Sequence, residues 1–141
     1  KLSNWYQRRH PKSVTVMKGL PKEDYDKLVQ VSQVGLIFLD YRFTIPNFPS
    51  RLLSYLENSM PVISCTDPIC DVGYIAEANG FGYYAPSNDV SAFTYAVDKM
   101  LASDVKCMGF NVCAFGITYY SKLRKGTYVE HCQTQKFFFF F

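Results

Sequence analysis

Unbroken apolar runs alternate along the chain with segments whose apolar residues recur every three or four positions. The runs are short and rich in β-branched and aromatic residues, so they predict four strands, near residues 13–17, 34–39, 61–65 and 81–84. Strands that are apolar on both faces are typical of a parallel sheet covered by helices on each side, because a strand with one wet face alternates polar and apolar residues. The pattern therefore predicts a parallel sheet.

Helical spacing predicts six helices around these strands. They cover residues 2–9, the segment that Pro21 begins, 49–58, 73–79, the segment behind Asp89, and 104–119. We expect their inward faces to include Tyr25, Leu28, Val29, Val31 or Ser32, Leu52, Leu53, Leu56, Phe93, Ala96, Val97, Met100, Leu101, Met108, Val112, Phe115 and Tyr119. Strands that alternate with helices through short links predict an α/β fold, here a Rossmann-like parallel sheet with helices on both faces.

Size and composition fit one globular domain. The chain has 141 residues, of which 48% are hydrophobic and 19% charged, so large-scale disorder is not expected. The net charge of +3 is small and the basic residues form no cluster, which argues against nucleic acid as a partner. No apolar run approaches the roughly 18–20 residues that span a bilayer, and the first residues do not resemble a signal peptide.

The number and spacing of the cysteines and histidines argue against several kinds of metal and catalytic site. The five cysteines contain no Cys-x-x-Cys pair, which favours reduced thiols in a cytoplasmic protein over the alternatives of a disulfide framework or a zinc site. The only histidines, His10 and His131, lie near the two ends. A Ser-His-Asp or Cys-His arrangement would have to recruit one of them, so nucleophilic hydrolysis is disfavoured.

Candidate binding residues follow from the predicted sheet. Ligands of open α/β sheets bind beyond the carboxyl ends of the strands, which selects the Gly19 turn and the loops 40–50, 66–71 and 84–88. Pro49 would begin a helix whose N-terminus, with the Ser50 hydroxyl and the Arg51 guanidinium, suits a diphosphate. The alternative for Arg51 is a solvated surface residue. Asp67 and Asp71 are interpreted as loop and helix-capping residues.

Residues 46–63 resemble the donor-nucleotide segment of GT-B glycosyltransferases, whose pattern is Pro-Ser-Lys-Leu-x-Glu-Tyr-Met-x-x-Gly-x-Pro-Val-Ile. Most of the pattern is present, but Ser54 stands where the family has its ribose-binding Glu, and Pro46 stands at the other Glu position. Residues 71–86 and 88–101 resemble the helices and the Gly-aromatic strand that follow the donor pocket in that family.

The resemblance implies that residues 1–130 are part of the C-terminal, nucleotide-sugar-binding domain of a retaining GT-B glycosyltransferase of the bacterial polysaccharide-biosynthesis type. Residues 131–141 would be an aromatic low-complexity tail, to which we assign no function. The implied reaction transfers a sugar from a nucleotide-diphosphate sugar to a saccharide, lipid-linked or protein acceptor, without metal or cofactor. The implied donor-binding residues are Gly19, Pro49, Ser50, Arg51 and Ser54; no catalytic residue is assigned.

The implied partners are the nucleotide sugar and an N-terminal acceptor domain outside this sequence, without which the chain should be inactive. The implied location is cytoplasmic, with the inner face of the membrane, reached by peripheral association of the parent protein, as an alternative. A homo-oligomer is also left open. The alternative function is a non-catalytic glycosyltransferase-like subunit that acts as a protein-interaction module.

Overall fold

A computed structural model describes residues 2–17, 19–43, 45 and 48–123. The elements in chain order are α1 (Leu2–Arg9), α2 (Lys22–Val31), β1 (Gly35–Phe38), α3 (Arg51–Glu57), β2 (Val62–Thr66), α4 (Val72–Ala78), β3 (Gly82–Pro86), α5 (Val90–Ala102) and α6 (Val105–Leu123). The residues Pro46, Asn47, His131 and Cys132 and the predicted aromatic tail lie outside the described residues.

The three strands form one parallel sheet in the order β1-β2-β3. Val62 pairs with Gly35 on one side and with Gly82 on the other, so β2 is the central strand. With three parallel strands and six helices among the described residues, the α/β prediction is confirmed. The architecture is that of a partial Rossmann-like fold.

The prediction of a strand near residues 13–17 is wrong. The structure assigns no strand to this segment, and none of its residues is buried; Val14 and Val16 are half-buried and Met17 is 49% exposed. β-Propensity describes how well a side chain fits a pleated, half-buried surface, and it does not form a strand without that surface. The Gly19 turn therefore follows no strand of the described sheet.

The core consists of two clusters of buried side chains, one on each face of the sheet. Val62 enters the first cluster, which α3 and α4 cover, and Ile63 enters the second, which α5 covers. Helix α6 contributes to both clusters, with Met108 in the second and Val112 in the first. Most predicted inward residues are buried or half-buried, but Leu101 is 63% exposed and Val31, the alternative to buried Ser32, is also exposed.

Helices α5 and α6 are long and rich in apolar residues. No single helix among the described residues has the length and apolarity to cross a bilayer. Val90–Ala102 and Val105–Tyr119 meet those criteria only as a pair, which is bent by 101°.

Gly82 lets α4 and β2 approach the third strand closely. A Cβ atom at Gly82 would clash with the carbonyl oxygen of Val62 and would lie 2.9 Å from the Cβ of Ala76. By contrast, a Cβ at Gly116 in α6 would make only ordinary contacts with Leu56, at 3.8 Å.

We therefore expect opposite effects of the same substitution at these two glycines. Gly82→Ala should lower the free energy of unfolding by about 3 kcal/mol, because the carbonyl of a central strand cannot move away. Gly116→Ala should raise it by about 1 kcal/mol, since alanine is favoured over glycine inside a helix. Urea unfolding measures both values, and a stable Gly82→Ala variant would contradict the described packing of β2 against β3.

A second prediction concerns alkaline pH. Burial raises the pKa of the Tyr55 phenol to about 12 and that of the Cys65 thiol to about 11, from ordinary values of 10.0 and 9.0. The unfolded chain releases these protons at lower pH than the folded chain, so stability should be complete below about pH 9 and fall between about pH 9 and 12. Urea titrations across this pH range measure the fall in the free energy of unfolding. In Cys65→Ala the fall should begin at a pH about one unit higher.

Candidate functional site

A groove of about 480 Å³ opens at the carboxyl edge of the sheet. It is lined by Phe38, Asp40, Tyr41, Arg42, Ser87 and Asn88. The first four come from the end of β1 and the loop behind it, and the last two follow β3. This is the position at which open α/β sheets bind ligands, and the volume is in the range of small-molecule sites.

The β1 wall of the groove carries an ion pair. Arg42 donates to Asp40 from Nε at 2.9 Å and from Nη2 at 2.6 Å, and its backbone N–H donates to the same carboxylate at 3.0 Å. The side-chain hydrogen bond from Arg42 is the main cause that holds the pKa of Asp40 well below its usual range. The two charges offset each other, so this wall presents the aromatic surfaces of Phe38 and Tyr41 more than a net charge.

Buried polar atoms without a hydrogen-bond partner occur in β2 and directly behind β2 and β3. Three such side-chain atoms are present among the described residues: Ser64 Oγ in β2, Asp67 Oδ2 directly behind β2, and Ser87 Oγ directly behind β3. A buried polar group without a hydrogen bond costs about 1–3 kcal/mol and therefore needs an explanation. Ser87 also lines the groove, whereas Ser64 is the central residue of β2.

Asp67 is a fully buried carboxylate at the centre of this edge. Its Oδ1 accepts hydrogen bonds from the backbone N–H groups of Ile69 at 2.9 Å and Cys70 at 3.1 Å. The interpretation of Asp67 as a loop residue is correct, but it missed the unpartnered Oδ2. The available signal was an acidic residue shortly after a predicted strand. The expected helix-capping role is wrong, because Asp71 directly precedes α4 and its side chain makes no capping hydrogen bond.

Tyr84 lies close to this carboxylate. It pairs with Ser64 in the sheet register, and its ring packs on Gly73 and on the Tyr74 ring, with the centroids of the two rings 4.8 Å apart. Burial raises the pKa of Tyr84 to about 12, and the nearby Tyr74 and Asp67 add to the shift. The phenol therefore stays a neutral hydrogen-bonding group beside Asp67.

The residues predicted for donor binding do not line the groove. Gly19, Ser50 and Arg51 are exposed, whereas Pro49 and Ser54 are half-buried. Since α3 joins the carboxyl end of β1 to the start of β2, its N-terminus nevertheless lies at the same edge of the sheet as the groove.

Some backbone N–H groups at the N-terminus of α3 already donate hydrogen bonds within the chain. Ser50 has helical backbone angles and makes no side-chain cap. The N–H groups of Leu52 and Leu53 donate to the carbonyls of Pro49 and Ser50 at 2.9 and 3.1 Å. An anion at this position would therefore depend mainly on the side chains of Ser50 and Arg51.

Within the described ranges, no three His, Cys, Asp or Glu side chains lie together so that they could hold a metal ion. Comparisons of the chain with protein families, with curated proteins and with solved structures find no match.

Two substitutions distinguish the roles of the two side-chain oxygens of Asp67. Asp67→Ala should lower the free energy of unfolding by about 2–4 kcal/mol, because the N–H groups of Ile69 and Cys70 lose their acceptor. Asp67→Asn keeps an oxygen for these bonds, so its stability should stay within about 1 kcal/mol of the native chain. Thermal and urea unfolding measure both; equal losses in the two variants would show that Oδ1 does not hold this loop.

Proposed function

We propose that the chain is the donor-binding part of a glycosyltransferase that takes a sugar from a nucleotide-diphosphate sugar and passes it to a saccharide, lipid-linked or protein acceptor. The observation that carries the proposal is the groove at the carboxyl edge of a parallel sheet, with the unpartnered buried oxygen of Ser87 on its wall. The resemblance of residues 46–63 to GT-B donor segments supplies the reaction class.

The lining of the groove suits a sugar ring or a base. Phe38 and Tyr41 are 52% and 39% exposed and offer aromatic faces for stacking. Ser87 and Asn88 add a hydroxyl and an amide on the opposite wall. Apolar walls with a few polar groups that fix orientation are typical of small-molecule sites.

We assign the diphosphate to Arg51 because its positive charge is not paired with a carboxylate of the described residues. Arg42 is already paired with Asp40, whereas Arg51 forms no ion pair with any described residue. At the start of α5, the side chain of Asp89 accepts from the N–H groups of residues 91 and 92, so a second anion is disfavoured there. Arginine binds phosphate oxygens through two parallel N–H donors, which favours it for this role.

The alternative, a non-catalytic subunit that binds a partner protein, has its own support. Exposed apolar side chains gather behind β1, including Phe43 at 42% and Ile45 at 63% exposure. Ser54 also lacks the carboxylate that the GT-B resemblance places at the ribose. The donor proposal and this alternative differ in whether the chain binds a nucleotide.

Isothermal titration calorimetry of the whole chain with UDP, GDP and dTDP tests the proposal. We expect binding of at least one nucleoside diphosphate. Arg51→Ala should weaken it about tenfold to a hundredfold, because hydrogen bonds to charged groups contribute about 1.5–3 kcal/mol.

Lys106→Ala is the matched control, since Lys106 is also an exposed cation. It follows Ser103, whose hydroxyl bonds to Tyr83 at 2.8 Å near the start of β3, and so lies at the opposite edge of the sheet. Its removal should leave nucleotide affinity unchanged. A chain that binds none of the three nucleotides would favour the protein-interaction module, and equal losses in both variants would reject the role of Arg51.

A further inference from the structure

A tight turn fixes the β1 wall of the groove. The N–H of Phe43 donates to the carbonyl of Asp40 at 2.8 Å, and the N–H of Arg42 donates to the Asp40 carboxylate at 3.0 Å. Phe38 makes an edge contact with Phe93, with the ring centroids 6.1 Å apart, and is still 52% exposed. A ligand in the groove would therefore meet side chains that are already held in place, which lowers the entropic cost of binding.

The ion pair on this wall has hydrogen-bonding capacity left. Asp40 Oδ1 accepts two hydrogen bonds from Arg42, from the backbone N–H and from Nε, whereas Oδ2 accepts one, from Nη2. A carboxylate has about four acceptor sites, so one site on Oδ2 has no partner among the described residues. The N–H groups of Arg42 Nη1 also bond to none of them. The side chains of Arg42 and Asp40 are 87% and 55% exposed, so a ligand reaches both.

This pair suits a neutral ligand that offers a donor next to an acceptor. Because the guanidinium compensates the carboxylate, a phosphate finds no net positive charge here. A hydroxyl both donates and accepts. Two hydroxyls on adjacent carbons of a sugar ring, a vicinal diol, can therefore donate to Asp40 Oδ2 and accept from Arg42 Nη1 at the same time. Both bonds would be charge-assisted, and such bonds are about twice as strong as neutral ones.

A sugar ring also fits the rest of the groove. Its apolar C–H faces pack on aromatic side chains, which Phe38 and Tyr41 supply. On the opposite wall, the amide of Asn88 can donate to or accept from a further hydroxyl. A nucleobase would stack on the same rings, but it carries fewer polar atoms on its rim and so uses less of the polar lining of the two walls.

We propose that Asp40 and Arg42 together bind a vicinal diol of a sugar ring, with one hydroxyl donating to Asp40 Oδ2 and its neighbour accepting from Arg42 Nη1. The inference rests on the proposed function and deepens it, since it assigns a sugar of the nucleotide sugar to the groove. The transferred sugar and the ribose both carry such a diol. The two residues determine specificity in this role and take no part in breaking or forming a covalent bond.

Asp40→Asn is the informative variant. It keeps one oxygen for the backbone N–H of Arg42 and replaces the other by an NH₂ group, which accepts no hydrogen bond from the diol and does not hold the guanidinium. Asp98→Asn is the matched control, because Asp98 is an exposed carboxylate in α5 that does not line the groove. Unfolding curves of both variants verify that they are folded before binding is measured.

Isothermal titration calorimetry of the whole chain compares UDP-glucose, UDP-galactose and GDP-mannose with UDP, GDP and the 2′,3′-dideoxy analogues of both diphosphates. If the diol belongs to the transferred sugar, Asp40→Asn should weaken a bound nucleotide sugar about tenfold and leave the free diphosphate within about twofold. A loss that extends to the free diphosphate and is absent for its dideoxy analogue assigns the diol to the ribose. Asp98→Asn should change none of these affinities.

Three results overturn the inference and leave the proposed function standing. They are unchanged affinities in Asp40→Asn, equal losses in the two variants, and a loss in Asp40→Asn that persists with the dideoxy analogue and so comes from the base or the phosphates.

Free sugars separate the two proposals if no nucleotide binds. Saturation-transfer NMR then uses the methyl glycosides of glucose, galactose and mannose and their deoxy analogues, which lack one hydroxyl of a diol. Signals that are present with the native chain, and that weaken both in Asp40→Asn and for a deoxy analogue, support the inference while the proposed function fails. Signals that persist in Asp40→Asn overturn the inference, and absence of signals with the native chain overturns both proposals.

Discussion

The structure depends on the burial of β2 on both of its faces. All five residues of this strand are buried, and alternate side chains enter two separate clusters, so helices must cover both sides of the sheet. Burial on both faces also removes water from the polar atoms near the end of the strand. Ser64 Oγ within the strand and Asp67 Oδ2 directly behind it are left without a partner, so the burial of β2 carries a polar cost.

Much of the fold could be predicted because the local signals agree with the tertiary structure. Pro21 precedes α2, and Asp89 caps α5 with two hydrogen bonds, as the sequence indicates. The apolar runs that form strands lie between helices in the structure. The run at residues 13–17 has the same composition but is not buried, and composition alone does not distinguish the two situations. Leu101 likewise has helical spacing but lies beyond the reach of the second cluster.

The site was predictable in its position and not in its residues. The rule that ligands bind at the carboxyl ends of parallel strands selects the loops behind β1 and β3, which do line the groove. It does not rank residues within a loop. Asp67 is buried whereas Asp71 is exposed, and this difference comes from the tertiary structure, which no local pattern records. Arg51 and Ser54 remain predictions, since they do not line the groove.

Two glycines carry tyrosine rings directly on the backbone. A Cβ at Gly35 would lie 2.6 Å from ring atoms of Tyr55, and one at Gly73 would clash with the ring of Tyr84. Neither glycine can become larger while its tyrosine is present, whereas either tyrosine can become smaller at the cost of a cavity. We therefore expect a fixed order of substitutions at each Gly–Tyr pair during evolution. The tyrosine must change before the glycine, and divergent homologues should show the two positions changing together.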